Sequence, residues 1–100
     1  DVIVTGAEKV WPEAVEAALS AIIAADQFAI VGVPDPEWGE RVVLATTQSN
    51  LSLDLIKEHL FLTMPNFCAP KEICQVASIP RTAIGKVRRQ ELRQQLSADN

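Results

Sequence analysis

The segment Pro80-Arg81-Thr82-Ala83-Ile84-Gly85-Lys86 carries the most suggestive chemistry in the chain. A lysine directly after a glycine has a mobile backbone behind it and a long stem, so its ammonium can reach an anion outside its own fold. Backbone N–H groups from Thr82 to Gly85 would add donors for a phosphate or carboxylate if the turn opens into a helix. At a helix start Lys86 opposes the macrodipole, a cost that a visiting anion offsets. The plainer reading is one more exposed lysine. The segment is not a phosphate loop of the G-x-x-x-x-G-K-[ST] kind, because the first glycine is missing and Val87 replaces the hydroxyl.

Other reactive side chains offer less. His59 has no partner in view and reads as a surface residue. Cys68 and Cys74 lack the paired spacing of a zinc site, so they read as inert thiols in a reducing compartment, with the cytoplasm as the expected location and no metal site expected. With 100 residues, 48% of them hydrophobic, one domain with a modest core is expected. The apolar stretches are interrupted too often to span a membrane. A net charge of −4 argues against binding nucleic acid through a basic surface. Of nine Lys and Arg residues, Lys71, Arg81, Lys86, Arg88, Arg89 and Arg93 lie in the last third, so that end either meets an anion or solvates a helix. The opening Asp1-Val2-Ile3-Val4 has no basic or apolar leader region, and the chain is expected to be a piece of a longer protein.

The elements that position Lys86 follow from periodicity. Val2-Ile3-Val4 and Val10-Trp11 flank a glycine turn and predict a hairpin. Pro12 opens a helix whose stripe runs through Val15, Leu19, Ile22 and Ile23, with Glu13 and Glu16 on the opposite face. Phe28 to Val33 predicts a buried strand, Pro34 to Glu40 a loop because its two prolines lack ladder donors, and Arg41 to Thr47 a second strand. Ser52 caps a helix with Leu53, Ile56 and Leu60 inward. Glu72 to Ile79 is a third strand, and Val87 to about Leu96 a basic helix with Leu92 and Leu96 inward. The expected fold class is α+β: a small, mostly antiparallel three-stranded sheet flanked by helices, plus an N-terminal β-hairpin, all within residues 1–100.

Three segments in order resemble the motifs of one superfamily, and together they cover essentially the whole chain. Asp1-Val2-Ile3-Val4-Thr5-Gly6-Ala7-Glu8-Lys9-Val10-Trp11-Pro12 through Val15-Glu16 resembles D-x-I-x-[ST]-G-G-E-x-[IV]-x-P followed by V-E. Val31 to Glu40 resembles V-G-V-P-D-x-x-W-G-E, and Pro80 to Lys86 with Arg88-Arg89 resembles the final lysine motif. The superfamily is that of acyl-CoA synthetases, luciferases and peptide-synthetase adenylation domains, and the chain is most similar to the small C-terminal domain of a carboxylate–CoA ligase.

The resemblance implies two half-reactions at one site: a carboxylate and ATP give an acyl-adenylate, and the acyl group then passes to a thiol. The domain would rotate against its own N-terminal adenylation domain, presenting Lys86 for the first step, with Thr82 and Gly85 beside it, and the Gly6 to Glu8 loop for the second. It implies that Trp38 stacks on the CoA adenine and that Phe67 and Lys71 border the CoA, Lys71 as a phosphate partner. Alternatives remain: Gly6-Ala7 as an ordinary hairpin turn, and Trp38 packed over the sheet edge by its prolines. Ala7 replaces the usual second glycine and is expected to disfavour positive φ. Glu8 and Glu40-Arg41 read as loop-fixing groups, and Asp1 as the second residue of an acidic hinge pair. ATP and Mg²⁺ would be held mainly by the larger domain, leaving this piece inactive alone. The acid could be a fatty acid, an aryl acid or o-succinylbenzoate. Two other functions stay open: an adenylation subdomain loading a carrier protein, and a regulatory binding module acting through its basic helix.

Overall fold

Six consecutive residues, Phe28 to Val33, are all buried, so their strand needs apolar cover on both faces. The helices supply it in a computed structural model that describes residues 1–98. Its elements are β1 (Ile3–Thr5), β2 (Glu8–Val10), α1 (Pro12–Leu19), β3 (Phe28–Asp35), β4 (Gly39–Thr46), α2 (Leu53–Leu60), β5 (Glu72–Gln75) and α3 (Arg89–Ala98). Phe28, Ile30 and Leu44 point to one face, where they pack with Leu19 of α1 and Leu60 of α2. Ala29, Val31, Val43 and Ala45 point to the other, where Val87 and Leu92 cover them. This alternation is the two-residue period of the strand.

The sheet is five-stranded and mixed, in the order β2-β1-β4-β3 with β5 also on β4. β3 and β4 pair antiparallel from Phe28↔Thr46 to Asp35↔Gly39. On the other edge of β4, β1 meets it at Thr5↔Gly39, and β5 runs parallel to it from Val43↔Glu72 to Thr46↔Gln75. The expected three-stranded, mostly antiparallel sheet with a separate hairpin is therefore corrected on two points. α2 carries the chain back across the sheet, and a strand returning through such a crossover pairs parallel. The hairpin joins the sheet rather than standing beside it, and the Glu40 carboxylate reinforces the join by accepting the Val4 N–H at 2.9 Å.

Element ends also differ. β3 continues through Pro34 to Asp35, so the loop shrinks to Pro36-Glu37-Trp38. Pro34 is tolerated because β3 pairs only with β4 and is an edge strand, where a missing donor is affordable. α1 stops at Leu19, because the Ser20 hydroxyl turns back to the Ala17 carbonyl and the Ile22 and Ile23 N–H groups close on Leu19. The three-residue spacing of Ile22 and Ile23 thus belongs to a turn, with Ile23 buried and Ile22 half exposed. β5 ends at Gln75 rather than Ile79, and α3 begins at Arg89 rather than Val87. No helix among the described residues is long and apolar enough to cross a membrane.

Candidate functional site

An antiparallel bridge between Arg81 and Val87 closes the lysine segment into a loop. Inside it, the Thr82 N–H donates to the Lys86 carbonyl at 2.8 Å, the Lys86 N–H to Thr82 Oγ1 at 3.1 Å, and the Gly85 N–H to the Thr82 carbonyl at 2.9 Å. Gly85 takes φ 89° to make the turn, a value that L side chains rarely adopt. One expectation is narrowed and one is corrected. Of the expected donors, the N–H groups of Thr82 and Gly85 are used within the loop, as is that of Lys86, and Lys86 precedes α3 rather than starting it, which removes the conflict with the macrodipole. What the loop offers is the side chain of Lys86, exposed on a cleft of about 270 Å³ shared with Asp1, Val2, Trp11 and Arg89.

A second group of candidates gathers at the β3–β4 turn. Gly6 occupies the first central position of a two-residue hairpin turn with φ 61°, while Ala7 has no positive φ. The strain expected of Ala7 is therefore absent, because only the first position needs the left-handed conformation. The Gly6 N–H donates to the Trp38 carbonyl at 2.8 Å, and a Cβ at position 6 would lie 3.1 Å from Trp38 Cε3. The indole thus rests on a bare glycine, with 46% of Trp38 exposed. Lys71 Nζ stands 5.6 Å from the Trp38 ring centroid, a cation–π contact. Phe67, 38% exposed, lies on the 3₁₀ turn Asn66–Cys68, which packs against β2 and α2. Glu8 belongs to β2, and its carboxylate is the lesser cause, after burial, of an upward push on the Cys68 thiol, which keeps that sulfur protonated.

Asp35 fixes the turn that presents Trp38. Its Oδ1 accepts the N–H groups of Glu37 and Trp38, both at 2.9 Å. These two bonds, the Trp38 one foremost, hold the carboxyl below its usual range, with Arg41 and Lys71 assisting against a small desolvation penalty. A folded pKa below the unfolded value means that Asp35 stabilises the turn above about pH 3.9 and loses that contribution as pH falls through the folded pKa. The Trp38 indole N–H resonance is therefore expected to hold its neutral-pH position down to about pH 4 and to move only in stronger acid. In Asp35→Asn that acid-induced movement should vanish, whereas a midpoint in the ordinary carboxylate range or above would refute the assignment.

The two groups sit at opposite ends of β3. Arg81 Nη2 donates to the Ala25 and Phe28 carbonyls at 3.0 and 3.4 Å, which roots the lysine loop at the strand's start, whereas Trp38 follows its end at Asp35. Seven strand steps separate those ends by roughly 23 Å.

Near the lysine loop lies an ion pair that no local sequence pattern announces. Arg89 is only 4% exposed, and it donates to Glu16 at 2.6 and 3.0 Å and to the Ile30 carbonyl at 2.7 Å. Glu16 Oε2 also accepts the Ile30 N–H at 2.8 Å. Together the two side chains serve the outward-facing backbone of the edge strand, as a neighbouring strand would. Periodicity put Glu16 on a solvent face and Arg89 in a basic helix; the only signal was that both stand inside the motif segments. Asp1 lies 3.9 Å from Arg89, beside Lys86. His59 is also corrected: its Nε2 lies 2.9 Å from the Ala18 carbonyl, which can only accept, so that nitrogen carries the proton and ties α2 to α1.

Residues 14–86 match the family model described as the AMP-binding enzyme C-terminal domain. Long-chain-fatty-acid–CoA ligase FadD13 of Mycobacterium tuberculosis is 30% identical over 98% of this chain and 20% of its own length. A 4-chlorobenzoate–CoA ligase of an Arthrobacter species is 40% identical over 98% of this chain and 19% of its own. Among solved structures, a Mycobacterium tuberculosis fatty acyl CoA synthetase superposes with a TM-score of 0.84 at 29% identity, covering 99% of this chain and 20% of that one. The chain spans about a fifth of the length of the curated relatives it matches.

Proposed function

The chain belongs to the AMP-binding enzyme C-terminal domain family, and from that premise we propose that it is the mobile C-terminal domain of an ATP-dependent carboxylate–CoA ligase. The observation that carries the proposal is the separation of its candidate residues into a lysine end and a tryptophan end of one strand. A rigid strand that bears different groups at its two ends suits a domain that turns to exchange them.

For the first half-reaction, Lys86 meets the carboxylate and the nucleotide oxygens. Its charge offsets the repulsion between two anions and stabilises charge developing at the reacting phosphorus. ATP and Mg²⁺ are bound mainly by the part of the enzyme outside this chain. Among the described residues no cluster of three or more His, Cys, Asp or Glu could hold a metal ion. Fatty and aryl acids are both within the substrate range of such an enzyme, since the acyl pocket also lies elsewhere.

For the second half-reaction, the half-exposed indole of Trp38 receives the adenine of CoA, and Lys71 turns from the ring to a phosphate. Gly6 lacks a side chain, so the Trp38 indole lies flat against the hairpin, and the pantetheine arm passes beside it along Ala7 and Glu8, with Phe67 along the border. An aromatic face with a cation at its side matches a nucleotide, which favours CoA over a carrier protein as acceptor. In the longer enzyme, Trp38→Ala should raise the KM for CoA roughly 5- to 150-fold, the worth of one stacked base. Acyl-adenylate formation, followed by pyrophosphate release, should change less than about twofold. An unchanged KM for CoA would exclude the stacking role.

A further inference from the structure

We propose that Arg81 is the positioning residue that sets the direction in which Lys86 leaves the domain. The proposal rests on the adenylation role given to Lys86 above and adds a part that neither the motif resemblance nor the matches supply. The lysine loop has an internal shape and an external attitude, and different bonds govern the two. Its shape comes from the three bonds between Thr82 and Gly85 or Lys86, all inside the loop. Those bonds would survive if the whole loop swung like a flap.

Packing does little to stop such a swing at the tip. Ile84 is 91% exposed, and a Cβ placed on Gly85 would meet nothing within 4 Å. The Arg81 guanidinium spans the gap instead. Nη1 donates to the Gly85 carbonyl at 3.2 Å, one peptide before Lys86. Nη2 donates away from the loop, to Ala25 at 3.0 Å and to Phe28 at 3.4 Å. The Phe28 carbonyl lies on the free edge of β3, two residues before the Ile30 backbone served by Glu16 and Arg89, so the loop is pinned to the buried strand that anchors both faces of the core.

A planar fork is required for this geometry. Its two nitrogens diverge rigidly, so a movement of the body is transmitted to Gly85; a single ammonium on a flexible stem can bond one side or the other without fixing the angle between them. Arg81→Lys keeps the charge and most of the stem while removing the fork. It is therefore the sharper variant, and Arg81→Ala tests the total loss.

The test has two readouts. In the 100-residue chain labelled with ¹⁵N, Gly85 and Lys86 amide order parameters should be near the rigid value of about 0.85 and fall below about 0.6 in Arg81→Lys, with Leu92 unchanged. In the longer enzyme, Arg81→Lys should slow acyl-adenylate formation roughly 10- to 100-fold, mainly in kcat, and leave thioester formation from preformed adenylate within about threefold. Added guanidinium should restore part of the adenylation rate in Arg81→Ala. Order parameters that stay at the wild-type value in both variants would overturn the proposal, and so would equal losses in the two half-reactions. If the wild-type enzyme makes no adenylate, the functional reading falls, while the order parameters still decide whether Arg81 aims the loop.

Discussion

Lys86→Ala in the longer enzyme is expected to slow acyl-adenylate formation by roughly 100- to 1000-fold, the loss typical of removing one group aimed at developing charge. The same variant should convert preformed acyl-adenylate and CoA to thioester at close to the wild-type rate. The asymmetry follows from position. Lys86 shares its cleft with Asp1, Trp11 and Arg89, while Trp38, Gly6 and Lys71 gather at the far end of β3. Among the described residues no hydrogen bond involves the Lys86 ammonium, and the backbone of Lys86 closes the turn, so truncation leaves the loop's shape intact. The thermal midpoint should accordingly move by no more than about 2 °C, as for an exposed surface substitution.

Arg89→Ala is expected to have the largest effect on stability, about 3 to 5 kcal/mol, because it strands a carboxylate that is mostly removed from water. For a domain of this size that corresponds to a fall in Tm of at least about 12 °C. Glu16 loses both of its guanidinium bonds, and the Ile30 carbonyl loses its donor at the same time. This second loss separates the pair from an ordinary buried salt bridge. Replacing a buried ion pair by two apolar side chains is often neutral. Here Glu16→Met with Arg89→Met would leave both the N–H and the carbonyl of Ile30 without partners, so the double variant should remain well below wild type. Thermal unfolding of the single and double variants checks both statements, and a double variant of wild-type stability would show that the edge of β3 needs no cap.

Much of the fold was legible in local chemistry. The hairpin, the Ser52 cap and the inward Leu92 follow from turn residues, capping and spacing that act within a few positions. Errors arose where distant residues decide. Pro34 continues a strand because that strand lies at an edge, and β5 is parallel because α2 crosses the sheet; neither fact is present in the segment itself. Ile22 and Ile23 imitate a helical stripe because a tight turn after Leu19 also spaces residues by three or four. In the site, Lys86 stood out through Gly85, and Gly6 and Trp38 through their motif segments, yet nothing local announced that Trp38 lies on Gly6 under Lys71. Arg89 looks like a solvated helix residue in its own segment because burial of a charge depends on a partner 73 residues away. Residue type named the chemistry, and long-range pairing determined which charges were available for it.

Whether two ends of one domain serve two half-reactions is decided by measuring both half-reactions in Lys86→Ala and Trp38→Ala of the longer enzyme. Pyrophosphate release reports the first, and thioester formation from preformed acyl-adenylate at subsaturating CoA reports the second. Opposite patterns are expected, with Lys86→Ala deficient only in adenylation and Trp38→Ala only in thioester formation. Losses of similar size in both half-reactions for either variant would rule out the two-ended arrangement, because they would place that residue in a single shared site.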